Sequence, residues 1–184
     1  MRSLHSLALI LLLTCLAHAQ QIRSVPDGDL FFNVIPQRTE LTEADTLLLK
    51  VELTNVGRDF VLVAMDDLCL NPGAGLTLSV TDKDSKPIKM SVPLTCVPDS
   101  AASDRDHFVR LAPDAIFGRL IHLQGSRIAP NPGAYVLTFT LRGTISPKRL
   151  AQMIAANPAN KSMITAFNSQ STPLIVKVPI RLRP

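Results

Sequence analysis

Three runs of this chain place an apolar side chain at every second position. In Thr46–Thr54 (TLLLKVELT), Leu47, Leu49, Val51 and Leu53 alternate with Leu48, Lys50, Glu52 and Thr54. In Ala134–Arg142 (AYVLTFTLR), Tyr135, Leu137, Phe139 and Leu141 alternate with Val136, Thr138, Thr140 and Arg142. In Thr172–Leu182, the residues Leu174, Val176, Val178, Ile180 and Leu182 share one face. A period of two is that of a pleated strand with one buried face; a helix would scatter the same residues around its axis. The chain therefore reads as all-β, with each alternating strand laid against a second layer.

Shorter runs fill the intervals. Asp29–Pro36, Leu76–Thr81, Ile88–Leu94, His107–Leu111 and Ile116–Leu123 read as further strands, and Asp59–Met65, apolar on both faces, reads as a central one. Turn formers separate them at Asn55–Gly57, Asn71–Gly73, Asp82–Lys86 and Pro130–Gly133. Pro173 and Pro179 lack a ladder N–H and mark the last run as an edge strand. One interval breaks the pattern. Ser146-Pro147 supplies an N-cap followed by proline at the first helical position; Leu150, Met153 and Ile154 follow at helical spacing, and Asn157-Pro158 ends the run. Met163, Ile164 and Phe167 suggest a second helical turn. The expectation is a two-sheet antiparallel sandwich with a helical insertion, about residues 146–168, before the last strand. Aromatic residues are 4% of the chain, with no Trp, so its core has to be built from Leu, Val and Ile.

The stretch Pro132–Leu141 (PGAYVLTFTL) resembles the penultimate strand of immunoglobulin-like and fibronectin-like domains of bacterial secreted proteins. Within it Tyr135 resembles the corner tyrosine of such sandwiches, which implies a hydroxyl tied back to the backbone a few residues upstream. The resemblance spans roughly residues 29–182 and is one of spacing. It departs from antibody-type domains in having no core Trp and in placing its cysteines in or beside loops. It implies an immunoglobulin-like fold and assigns no activity.

The first residues read as a targeting signal. Arg2 is a basic n-region, Leu7–Leu16 an apolar h-region, and Ala17-His18-Ala19 a small-residue cleavage site. The expected division is a signal peptide over 1–19, a linker over 20–28 and one domain over 29–184. The apolar run is shorter than the roughly 20 residues a spanning helix needs, and no later segment resembles one. An exported chain loses Cys15 with its signal. Cys69 and Cys96 remain, and an oxidising compartment makes a Cys69–Cys96 disulfide the natural reading.

Catalytic signatures are missing from the sequence: there is no Gly-x-Ser-x-Gly, His-Glu-x-x-His, Cys-x-x-Cys or phosphate-binding Gly loop. Asp104, Asp106 and His107 form the one local set with metal-ligand or acid–base potential, and they read first as a solvated loop entering a strand. Asp82-Lys83-Asp84 has the alternating carboxylates of a calcium loop, but Pro87 and Pro93 stand where glycine and a bidentate Glu are needed, so a hairpin turn is expected. Asp66-Asp67 likewise reads as solvated loop. No catalytic residue, metal ligand or cofactor is assigned.

Charge is distributed unevenly. All 15 acidic residues lie at or before Asp114, and every charged residue after it is basic. Arg142, Lys177 and Arg181 fall on outward positions of the last two long strands, with Lys148, Arg149 and Lys161 in the insertion. Together these six form a candidate stripe for an anionic glycan, an envelope component or an acidic protein face. Nucleic acid is not expected, because the stripe lacks aromatic residues for base stacking. The reading is of an exported, periplasmic or extracellular, non-catalytic binding module. Two alternatives stand beside it: an inhibitor-like or chaperone-like binder acting through the Val97–Asp106 loop, and a small metal-dependent hydrolase built on the 104–107 cluster.

Overall fold

The computed structural model describes residues 29–70, 74–90, 108–156, 164–168 and 171–184. The signal and linker segments (1–28), Cys96, the 97–107 loop and Lys161 lie outside the described residues.

The described residues form an all-β sandwich with a short helical insertion. The strands are β1 (Leu30–Pro36), β2 (Glu40–Leu41), β3 (Thr46–Asn55), β4 (Phe60–Ala64), β5 (Leu76–Asp82), β6 (Pro87–Ile88), β7 (Phe108–Leu111), β8 (Ile116–Gln124), β9 (Gly133–Leu141), β10 (Ile164–Ala166) and β11 (Leu174–Leu182). A one-turn helix, α1 (Gly125–Ile128), follows β8, and α2 (Pro147–Ala156) follows β9. One sheet has the order β1-β3-β8 and another the order β2-β11-β9-β5-β6. A third, small sheet, β10-β4-β7, was not expected. The pairing is antiparallel apart from β10 with β4 and β11 with β2, which run parallel.

Alternation decides which side of each strand is buried. Leu47, Leu49, Val51 and Leu53 of β3 are fully buried, as are Leu137, Phe139 and Leu141 of β9, and Val176, Val178 and Ile180 of β11 are nearly so. Side chains from the sheets of β3 and β9 merge into one apolar cluster running from Leu30 to Leu182. Burying each Leu or Ile contributes about 2 kcal/mol of transfer free energy, so aliphatic residues supply most of the core, with Phe32, Tyr135, Phe139 and Phe167 set among them. A satellite cluster of Leu62, Ile145 and Ala166 packs with Phe108, Leu150 and Met153 beneath α2.

The insertion begins as its sequence indicates. The Ser146 hydroxyl accepts the Arg149 N–H at 3.2 Å, and Pro147 is the first helical residue. Its second half differs: Ile164–Ala166 is the strand β10, not a helical turn. Its partner is β4, a hundred residues earlier, with Phe167 N donating to Leu62 O at 2.9 Å. A three-residue strand made by a non-local partner leaves no local period to detect. The run expected at Ile88–Leu94 is described only as the two-residue β6 and its exit to Met90. β11 is also less of an edge than its prolines suggest, since β2 pairs with it at Arg181 and Leu182. Arg181 N donates to Thr39 O, so odd-numbered amides of β11 point away from β9, and the missing N–H of Pro179 falls on that open side.

Candidate functional site

The five-stranded sheet turns one face to the core and one to solvent. Its register places Ile175, Lys177, Pro179 and Arg181 of β11 beside Thr140, Thr138, Val136 and Ala134 of β9. On the other flank of β9, Thr77, Ser79 and Thr81 of β5 pair with Thr140, Thr138 and Val136. All lie on the outward parity, because their chain neighbours are the buried ones. The outer face is thus a grid of five hydroxyl side chains, Thr77, Ser79, Thr81, Thr138 and Thr140, flanked by cations. Thr77 Oγ1 donates to Thr140 O at 3.3 Å, which leaves the hydroxyl oxygen able to accept.

Arg142, Lys177 and Arg181 are exposed and lie along this face at different levels. Lys177 pairs with Thr138, and Arg142, the residue just past the end of β9, lies four residues beyond Thr138; Arg181 lies four residues the other way along β11. At the rise of a strand these steps are about 13 Å each. The cations are therefore too widely spaced to close on one small anion, and they match an extended polyanion. Among the described residues none of the three makes an ion pair. On their outward positions the strands of this face bring one carboxylate, Glu40 at the corner, which is engaged by Arg183; Asp82 of β5 lies on the opposite parity and accepts amides of its own turn. At the same corner an open groove of about 710 Å³ runs between the start of β9 and the end of β11, lined by Gly133, Ala134, Arg181, Leu182 and Arg183.

Lys148 and Arg149 are placed differently. They ride on α2, whose apolar side packs onto the satellite cluster with β4 and β10, and Arg149 reaches Gln152 of its own helix at 3.3 Å. The structure brings three of the six candidate cations to one sheet face and puts two on the helix. The sixth, Lys161, lies outside the described residues.

Asp67 corrects the reading of Asp66-Asp67 as solvated loop. It sits in a 3-10 turn, Met65–Leu68, and is fully buried. Oδ1 accepts the Thr144 hydroxyl at 2.7 Å and the Thr144 N–H at 3.0 Å; Oδ2 accepts the Ala64 N–H at 3.1 Å. Burial pushes its carboxyl up to about 6, against the opposing pull of the hydrogen bonds from Thr144 and Ala64 and with a smaller upward push from Asp66. Gly75 makes room for this contact: a Cβ there would stand 2.3 Å from Arg142 O and 2.8 Å from Asp67 Oδ1. The carboxylate thereby ties the turn after β4 to the chain leaving β9, immediately beside Arg142. Nothing local signals this, because Thr144 is 77 positions away. The hydroxyl grid was detectable, since Thr77, Ser79, Thr81, Thr138 and Thr140 occupy the polar half of the same alternation that reveals the core.

Two further sequence readings find their geometry. Tyr135 OH donates to Asn131 O at 2.8 Å, the upstream tie that its position implies. Asp82 Oδ1 accepts the amides of Asp84 and Lys86, each at 2.9 Å, so the Asp82 carboxylate builds a hairpin turn. Cys69 is fully buried, and its expected partner Cys96 lies outside the described residues, as do Asp104, Asp106, His107 and the whole Val97–Asp106 loop. Among the described residues no group of three His, Cys, Asp or Glu side chains is placed to hold a metal ion, and no helix is long and apolar enough to cross a membrane.

No family model matches the chain, and no curated protein matches it. Similar solved structures include a β-glucosidase from Erythrobacter marinus, at TM-score 0.39 and 12% identity over 84% of this chain and 15% of that one. The C-terminal domain of Wzt matches at TM-score 0.44 and 10% identity, over 90% of this chain and 79% of that one. The putative ApaA protein of Bordetella pertussis matches at TM-score 0.38 and 16% identity, over 84% and 92%. No residue of this chain takes a role from these likenesses.

Proposed function

We propose that this protein is an exported, non-catalytic binding module of the cell envelope or extracellular space, and that the outer face of its five-stranded sheet holds an anionic glycan. One observation carries the reading. Arg142, Lys177 and Arg181 are spread along a solvent-facing sheet that also presents five Thr and Ser hydroxyls, among Ala134, Val136, Ile175 and Pro179. Hydroxyls that both donate and accept suit sugar hydroxyls, and spaced cations suit acidic groups repeated along a polymer. The flat face offers no aromatic platform for stacking bases. The N-terminal signal pattern of residues 1–19 supports export, the strand spacing around Tyr135 supports an immunoglobulin-like domain, and the missing catalytic signatures support a binding role.

The test is retention of the mature protein on an immobilised acidic polysaccharide across a salt gradient. Cations about 13 Å apart act almost independently in physiological salt, where the screening length is about 8 Å. Each should therefore contribute separately, and retention should fall stepwise through Lys177→Glu, the Lys177→Glu/Arg181→Glu pair and the triple reversal with Arg142→Glu. Circular dichroism should be unchanged throughout. Retention of the folded triple variant equal to the wild type sinks the reading.

A further inference from the structure

A second surface lies on the opposite sheet, along the outer edge of β8. Among the described residues, β3 pairs with β8 on one side and no strand pairs with it on the other. The hydrogen-bonding parity of that free side follows from the ladder. Gln37 N donates to Leu48 O, and Asn55 N donates to Ala115 O. Even-numbered residues of β3 therefore face β1, and odd-numbered ones face β8. The register sets Leu49, Val51 and Leu53 against Ile121, Arg119 and Phe117, so these β8 residues spend their backbone groups on β3. Ile116, Gly118, Leu120 and His122 turn theirs outward.

The side chains on the same positions are unusually apolar for an edge. Ile116 is 60% exposed and Leu120 63%, with exposed Gly118 between them. A shallow groove of about 480 Å³ lies over Gly118, bounded by Lys50, Glu52, Ile116 and Leu120. Edges are usually blunted by lysine, proline or a bulge. The outward positions of β8 hold none of these devices, and its one arginine, Arg119, is folded inward to donate to Met65 O at 3.2 Å.

We propose that this edge is a self-pairing surface, with β8 of one molecule adding antiparallel to β8 of a second copy about a two-fold axis at Gly118. The pattern around Gly118 is self-complementary. The axis sets Ile116 against Leu120 of the second copy and Leu120 against its Ile116. It lays glycine against glycine at the centre, where no side chain crowds the two-fold. It also carries His122 to the turn holding Asp114 of the second copy, placing an imidazole and a carboxylate at both ends of the seam. Lys50 and Glu52, the charges nearest the groove, neutralise one another within each molecule at 2.6 Å. Pairing the outward groups of Ile116, Gly118 and Leu120 forms about six backbone hydrogen bonds and joins the two three-stranded sheets into one of six strands. Isologous two-fold contacts of this kind place the same patch on both partners.

Sedimentation equilibrium of the exported, processed protein tests this together with concentration-dependent hydrogen exchange. A dimer is expected, with the amides of Ile116, Gly118 and Leu120 protected at high concentration and fast on dilution. The Ile116→Lys/Leu120→Lys variant should dissociate roughly 100-fold more readily while keeping the circular dichroism and melting of the wild type. A dimer whose three amides exchange fast at every concentration overturns the edge pairing. A monomer at millimolar concentration also overturns it, and leaves the edge to a strand of a different protein. Retention on acidic polysaccharide is read separately, so failure here is distinguishable from failure of the glycan reading.

Discussion

Thr144 gives both its hydroxyl and its backbone N–H to the same oxygen of Asp67, at 2.7 and 3.0 Å. A buried carboxylate held this way is a conditional fastener. Its hydrogen bonds favour the charged form, and its burial opposes it more strongly. Because the folded-state value is raised from 3.8 to about 6, the folded protein binds this proton more tightly than the unfolded chain does. The stability contributed by the proton is complete below pH 4 and declines as pH rises toward 6. At about 1.4 kcal/mol per unit the decline is about 3 kcal/mol. Asp67→Asn removes the titration and keeps an acceptor for Thr144. Urea unfolding at pH 4.5 and pH 7 should show the wild-type stability falling relative to Asp67→Asn as pH rises. A constant difference between the two proteins would show that Asp67 does not titrate in this range.

Asn55 ties the small sheet to the main sandwich. Its Nδ2 donates to Asp59 O at 2.7 Å and to Leu111 O at 2.9 Å, and its Oδ1 accepts the Gly57 N–H at 3.0 Å. The residue is fully buried. Asn55→Ala leaves two carbonyls and one amide without these partners in a dry environment, and a loss of about 3 kcal/mol is expected. Asn55→Asp should be worse, since a carboxylate would face the two carbonyls that now receive a donor. Chemical denaturation of both variants checks the order; equal effects would remove the carbonyl argument.

The Tyr135 corner makes a smaller claim. Tyr135→Phe deletes the bond to Asn131 O and keeps the ring in the core. A loss of about 1 kcal/mol is expected, with no change in the slope of the urea transition. A loss near zero would mean that solvent replaces the tie without cost.

On the proposal of export, the processed protein should begin at Gln20 and carry a bridge between Cys69 and Cys96. Its intact mass should then be two hydrogens below that of the reduced chain, and no thiol should react in denaturant until a reductant is added. In the chain-entropy picture a loop of this size contributes about 3 to 4 kcal/mol, so reduction should lower the unfolding midpoint. Two reactive thiols in unreduced, unfolded protein would exclude the bridge.

The long strands were legible because one rule governs them. Where a strand has one wet face and one dry face, as β3, β9 and β11 do, polarity alternates with the pleat and the residues carry the answer locally. Ser146-Pro147 was legible for the same reason, since capping is settled within four residues. β10 was not, because its partner lies on β4 and its three residues hold no period of their own. β2 and α1 are too short to show one. At the site, alternation placed Arg142, Lys177 and Arg181 on the outward side. It could not separate them from Lys148 and Arg149, because where α2 packs depends on Leu62 and Ala166. Asp67 was misread because an acidic pair beside a turn looks solvated until Thr144 and Gly75 are brought to it by the fold.

β11 seals the interior, and five of its side chains, from Leu174 to Leu182, are buried. β3 and β8, or β5 and β9, meet only by closing loops of about 50 residues or more. Until β11 arrives, β9 has one open flank and its oily side has no lid. Truncation within β11 is therefore a block to folding, because β9 would keep an open flank and the apolar cluster would lose side chains between Leu174 and Leu182.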